Sequence, residues 1–370
     1  MKEEDFIPVA EPWIGEKEKE YVNQCLEEGW ISSKGRFITE FEEKFSSFCG
    51  VKYGLAVSNG TAALHLALAA LDVGQEDEVL VPSLTFIATA NAVRYTGAKV
   101  VCVDSNPETW NISVSDLEKK ITSKTKAIIP VHLYGHPCEM DEINELAHDN
   151  SLSVVEDCAE AHGAEYKDKK VGSFGDMGVF SFYGNKTITT GEGGMLVTDN
   201  KELYERARFL HDHAMSKKQR YLHPEVGFNY RMTNLQAAVG VAQTERLDEL
   251  IQIKRKNAQL YNNLLKNVKG ITLPPEKPYV KNIYWMYSVL IEKEFSLSRD
   301  ELIEKLKDNR IETRPFFVPI SNQPPYSDQP LCSVAEELSK KGVNLPSSTK
   351  LTEEQIQYIT ETIKTLSNQN

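Results

Sequence analysis

The sequence predicts an α/β protein: a large layered domain, then a smaller α/β domain toward the C-terminal end. Three observations carry this reading. Short apolar runs alternate with helical segments over the first two-thirds of the chain, the order that lays helices on a sheet. Those runs are β-branched and barely alternate, so both faces of the sheet are expected under helices. A length of 370 residues suffices for one large domain plus a small one.

The expected strands are 53–57, 78–81, 99–103, 127–131, 153–156, 179–182 and 194–198. A helix over 61–71 is apolar on nearly every side and is expected to be buried. His65 within it reads as a hydrogen-bonded core histidine rather than a catalyst. A long helix over 235–265, rich in Arg, Lys and Glu, is read as the link between domains 1–245 and 246–370. Beyond it the sequence predicts an alternating strand over 284–291, a helix over 299–309 capped by Ser298, and an extended segment over 312–318. The last helix opens on Thr352-Glu353-Glu354-Gln355, the spacing of a capping box.

A net charge of −12 with no Lys/Arg block argues against nucleic acid or an anionic membrane as partner. A small anionic substrate is still compatible, because backbone donors and one or two cations bind phosphate inside an acidic protein. The six cysteines are scattered without CxxC spacing. Four lie in or beside apolar runs and read as small hydrophobes, and no metal site is expected. The run 1–5 is charged, and no apolar stretch follows that suits a signal peptide or membrane span. A cytoplasmic protein with reduced thiols is expected.

Lys186 follows the apolar run 179–182 and precedes Gly191-Glu192-Gly193-Gly194. Partial shielding there leaves more free amine, as a lysine that condenses with an aldehyde requires; taken alone, it is a surface lysine. Asp157 ends an apolar strand, where it either faces a ligand or caps the next helix. Gly60-Thr61 opens the buried helix, either as a phosphate cradle or as an ordinary turn. Phe86 either covers a flat ligand or belongs to the core. His213 either faces a substrate or is a solvated loop residue.

Ordered blocks join these residues: Ser58-Asn59-Gly60-Thr61, Pro82-Ser83-Leu84-Thr85-Phe86, His132-Leu133-Tyr134-Gly135, Glu156-Asp157-Cys158-Ala159-Glu160-Ala161-His162-Gly163 and Gly227-Phe228-Asn229-Tyr230-Arg231-Met232. With them the chain resembles the DegT/DnrJ/EryC1/StrS sugar-nucleotide aminotransferases from Ile14 to about Leu366. The resemblance implies the aspartate-aminotransferase-like fold (fold type I), with a mixed seven-stranded sheet between helices and a smaller C-terminal α/β domain. It implies pyridoxal 5'-phosphate as cofactor, alternating with pyridoxamine 5'-phosphate, and L-glutamate and a nucleotide-linked keto sugar as substrates. Lys186 is then catalytic. Gly60, Thr61 and Ser181 hold the phosphate, Phe86 lies over the ring, Asp157 faces the pyridine nitrogen and Glu160 the ring hydroxyl. Asn229 resembles the asparagine that reaches the phosphate from the neighbouring subunit, which implies a homodimer with composite active sites.

His213, Arg231, Arg314 and Phe316 are expected on the substrate side. So is the loop 318–326, where Ser321 stands at a place many relatives fill with His. Sugar dehydratase relatives carry His at the position of Lys186, so dehydration is disfavoured. The stretches 156–160, 183–190 and 313–317 most resemble the branch that aminates GDP-4-keto-6-deoxymannose at C4. A UDP- or dTDP-linked keto sugar is the alternative within the family. A cofactor-binding regulatory protein without turnover is the alternative of another class.

Overall fold

A computed structural model describes residues 6–367, so the charged run 1–5 lies outside the described residues. All seven expected strands join one sheet. Its order is Tyr53–Val57, Gly194–Thr198, Met177–Ser181, Ser153–Asp157, Thr125–Ile128, Glu78–Pro82, Lys99–Val103. Gly194–Thr198 runs antiparallel to both neighbours and the remaining pairings are parallel. The sheet is therefore mixed. Six strands point their C-terminal ends the same way, so the residues that follow them collect along one edge.

Two strands run one residue further than expected, to Pro82 and Asp157, and two others shift. The ladder expected over 127–131 is Thr125–Ile128. Pro130 has no N–H to donate, and past it only an isolated bridge joins Val131 to Asp157. The strand expected over 179–182 begins earlier, at Met177. The helix Gly60–Ala70 is buried as its composition requires, and Asn59 caps it by accepting from Ala62 N at 2.8 Å. His65 is a core histidine, 2.9 Å from the Tyr230 hydroxyl.

Aromatic packing closes one face of the sheet. The Phe45 ring meets Phe180 at 4.9 Å and Phe182 at 5.1 Å, both edge-on, and is fully buried. Burying each such ring contributes about 1.5–3 kcal/mol.

The single helix expected over 235–265 is two helices, Asn234–Thr244 and Leu247–Leu265. Arg246 leaves helical geometry at φ −110°, ψ 2°. The first helix is made of small residues buried against neighbouring helices. The second carries charge on its open face, and the chain changes direction where those demands change. A four-stranded antiparallel sheet follows: Ile271–Thr272, Tyr287–Ile291, Gly342–Leu345, Arg314–Pro315.

The strand expected over 284–291 starts only at Tyr287, and all five of its residues are buried, without alternation. Tyr284, at φ 50°, turns the chain out of extended geometry. Within 312–318 only Arg314–Pro315 is strand. Helix Arg299–Asp308 bears a Ser298–Glu301 capping box, and Gln355 and Thr352 exchange bonds at the start of the last helix. A small sheet of Glu165–Tyr166, Lys169–Lys170 and Val280–Lys281 was not foreseen.

Candidate active site

Strand ends deliver the principal groups to the sheet edge. Asp157 closes Ser153–Asp157 and is buried. Its carboxylate accepts from Thr89 Oγ1 at 2.8 Å and Ala159 N at 3.1 Å. Burial raises its pKa, with those bonds and Lys186 opposing. Glu160 lies three residues on and accepts from Tyr134 N at 2.8 Å. Burial lifts it to about 7, against the pull of Lys186.

Lys186 comes from the loop after Met177–Ser181, with a side chain only 12 % exposed. Its Nζ stands 3.8 Å from Glu160 Oε1 and 3.8 Å from the centroid of the Trp285 ring. Burial moves this amine below the ordinary lysine range, with Glu160 and Asp157 opposing. The amine thus lies between an aromatic face and an acid that itself resists ionising.

The phosphate cradle has a sharper signature than its sequence. A Cβ on Gly60 would lie 2.7 Å from the Ser181 Cβ, so only glycine lets the helix start approach that strand. The first N–H groups of this helix have no intrahelical partners, and Thr61 and Ser181 flank them with hydroxyls. Phe86 is 55 % exposed, its ring 5.8 Å from that of Phe317. Amine, buried acid, helix N-terminus and open aromatic face meet the needs of pyridoxal phosphate, and the residues present fit that group.

Other expected residues bond to one another. Asn229 and His213 are exposed and cluster with the half-buried Arg231 and Asp212, on a segment whose Tyr230 carbonyl accepts from Ser58 N and whose Arg231 bridges Val57. Arg231 reaches Asp212 Oδ1 at 2.8 Å, Asn229 Oδ1 at 2.9 Å and His213 Nε2 at 3.3 Å. Among the described residues none of them hydrogen-bonds to Lys186, Asp157 or Glu160. Arg231 lines a cavity of about 460 Å³ with Lys34, Glu42 and Arg208. Arg314 is exposed and pairs with Glu312 at 3.0 Å.

Phe316, expected at the substrate, is instead 2 % exposed and packed 4.8 Å from the Tyr134 ring and 5.5 Å from Trp110. Its neighbour Phe317 faces Phe86. Phe317 also stacks on Tyr134, at 5.4 Å. Ser321, expected to face the sugar, is also buried, with its hydroxyl 3.0 Å from that of Ser83.

Trp285 and Thr89 carry no signal in the sequence, and Tyr134 stands there only as part of the block 132–135. Trp285 lies in a run that reads as strand, and Thr89 opens a helix with no charge to mark it. One further cluster, His132, Glu156 and Cys158, offers ligand atoms within 4.8 Å of one another. Its bonds are already committed. His132 Nδ1 accepts from Cys138 N at 3.0 Å, which leaves Nε2 to donate to Glu156 at 3.1 Å. Glu156 also accepts from the backbone of Gly172, Phe174 and Gly175.

Comparison with known proteins agrees with this geometry. The model of the DegT/DnrJ/EryC1/StrS aminotransferase family matches residues 12–364. The chain is 51 % identical to a GDP-perosamine synthase of Escherichia coli O157:H7, over 97 % of this chain and 98 % of that one. It is 47 % identical to a GDP-perosamine synthase of Caulobacter vibrioides, over 95 % and 96 %. Among solved structures, Spr1654 of Streptococcus pneumoniae in its PLP form superposes at a TM-score of 0.93, with 28 % identity and 98 % of each chain covered.

Proposed function

The chain belongs to the DegT/DnrJ/EryC1/StrS aminotransferase family and is a pyridoxal-phosphate enzyme, and from that premise we propose that it converts GDP-4-keto-6-deoxymannose to GDP-perosamine with L-glutamate as amino donor. The observation that carries this is the buried amine of Lys186 against Glu160 and Trp285, on a chain similar over nearly its whole length to two GDP-perosamine synthases.

Bound pyridoxal phosphate supplies an electron sink beside the carbon that loses or gains a proton. Gly60, Thr61 and Ser181 would hold its phosphate through backbone N–H groups and hydroxyls. Asp157, its carboxylate oriented by Thr89 and the Ala159 N–H, would serve the ring nitrogen. Glu160 would serve the ring hydroxyl and Phe86 the ring face. The Lys186 amine would hold the group and move a proton at the reacting carbon as base and acid.

The working unit is a homodimer in which Asn229 serves the partner's phosphate site. Asn229 is exposed and, among the described residues, its side-chain oxygen accepts only from Arg231, which supports that arrangement. His213, Arg231 and Arg314 are the substrate-side candidates that keep exposed polar groups. The chain divides into domains 1–245 and 246–370, and the protein works in the cytoplasm. No helix among the described residues is long and apolar enough to cross a membrane.

A panel of GDP-, UDP- and dTDP-linked keto sugars, each assayed with glutamate by mass spectrometry, tests the substrate. The GDP-linked 4-keto sugar should give the highest kcat/KM; preference for a UDP- or dTDP-linked sugar overturns that choice. Mixing Lys186→Ala chains with Asn229→Asp chains tests the shared site. Re-paired dimers should recover activity, since one of their two sites holds both native residues; no recovery beyond the parents' sum confines Asn229 to its own subunit.

A further inference from the structure

Besides Lys186, the molecule buries a second lysine. Lys254, on the helix Leu247–Leu265, is 6 % exposed. A lysine this deep is normally paired with an acid, yet its donors go to two backbone carbonyls, Trp285 O at 3.0 Å and Ser347 O at 2.7 Å. Burial alone pushes it down to about 7.

Both carbonyls matter to the site. The Trp285 ring is the surface under the Lys186 amine, and its indole N–H donates to Asn185 O at 2.8 Å, one residue before that lysine. The backbone that delivers Trp285 is strained. Tyr284 stands at φ 50°, a left-handed conformation that a bulky side chain keeps only where its surroundings over-determine it. Three contacts do so here. Asn282 Oδ1 accepts from Tyr284 N at 2.7 Å. Gly135, at φ 104°, leaves room, since a Cβ there would lie 2.9 Å from Trp285 N. Lys254 takes the carbonyl on the far side. Ser347, held by the same ammonium, accepts through its hydroxyl from Tyr287 N at 2.7 Å, at the start of the next strand.

We propose that Lys254 is a positioning residue for the reaction: by clasping the carbonyls of Trp285 and Ser347, it sets the indole face on which the Lys186 amine rests. The seating of the helix Leu247–Leu265 and the aim of the amine thereby become one geometric quantity. The inference rests on the role given to Lys186 above.

Lys254→Met preserves the stem and removes the donors. The first readout is Trp285 emission in the full chain, isolated by subtracting the spectrum of Trp285→Phe from that of the unchanged protein. Lys254→Met should shift this emission to the red and raise its quenching by acrylamide. The second is a double-mutant cycle. Lys254→Met should lower kcat by about tenfold with Trp285 present, but by less than about twofold in the Trp285→Phe background. Should Lys254→Met fail to fold, Lys254→Gln is read by the same emission and cycle. Unchanged Trp285 emission, or an equal loss of kcat in both backgrounds, overturns the proposal. The emission readout does not depend on turnover, so failure of the Lys186 assignment is read separately, from Lys186→Ala.

Discussion

Glu156 and Asp157 are adjacent in the chain and both buried, yet they belong to regions of opposite character. Glu156 points behind the sheet edge, where His132 and three backbone N–H groups donate to it. Burial alone would raise its pKa, but those donors hold it below the ordinary glutamate value. Asp157 and Glu160 point into the site, with fewer donors, and burial raises both. A buried carboxylate whose acceptor sites are filled acts as a fixed strut, whereas one with spare capacity stays available to a ligand or a proton.

Changes on the two sides should therefore fail differently. The largest effect is expected from Lys186→Ala: kcat for amino transfer should fall by roughly 10⁴-fold or more, with a nearly unchanged melting temperature. Turnover close to that of the unmodified protein would remove the lysine from the site. Glu156→Gln should do the reverse. It replaces an acceptor of four donors by an amide, so denaturant unfolding should show a loss of about 3–5 kcal/mol, while kcat of the folded fraction moves less than tenfold. A stable but inactive variant would place Glu156 in the chemistry.

Asp157→Asn comes next. The fold should survive and kcat drop by about 10²- to 10³-fold, the range for removing one preorganised electrostatic partner. Near-native activity would mean another acid faces the ring.

The smallest effect concerns Glu160. Its folded value of about 7 exceeds its unfolded value near 4.5, so between them the folded chain binds more protons. Its contribution to stability is complete below 4.5 and is lost as pH rises through 7. Glu160→Gln should flatten the fall in unfolding free energy between pH 4.5 and 8 by at most about 3 kcal/mol. Parallel urea-derived curves for the two proteins would show that Glu160 is already ionised in the folded chain.

Much of the site was legible because its elements are local. Asn59 caps the helix that Gly60 opens, and that signal needs only neighbouring residues. Lys186, Asp157 and Ser181 stand at or just past the ends of apolar runs, where the topology of an α/β sheet gathers functional groups. Where the reading failed, the determinant was distant in sequence. Phe316 and Phe317 are equivalent as aromatics, and only the approach of Gly342–Leu345 decides which ring is buried against Trp110 and which reaches Phe86. Ser321 was read from its loop, but its partner Ser83 is 238 residues away.

The sequence by itself determined the seven strands, the buried helix and the lysine, because hydrophobic period and strand-end position are written within a few residues. Tertiary structure alone decided the break at Arg246, the turn at Tyr284 and the placing of Trp285 against Lys186. Each of these depends on what lies across the fold: which helices bury Asn234–Thr244, which carbonyls Lys254 finds, and how close Gly135 lets another backbone pass. Local propensity cannot encode such encounters, because their energy exists only once the distant partner has arrived.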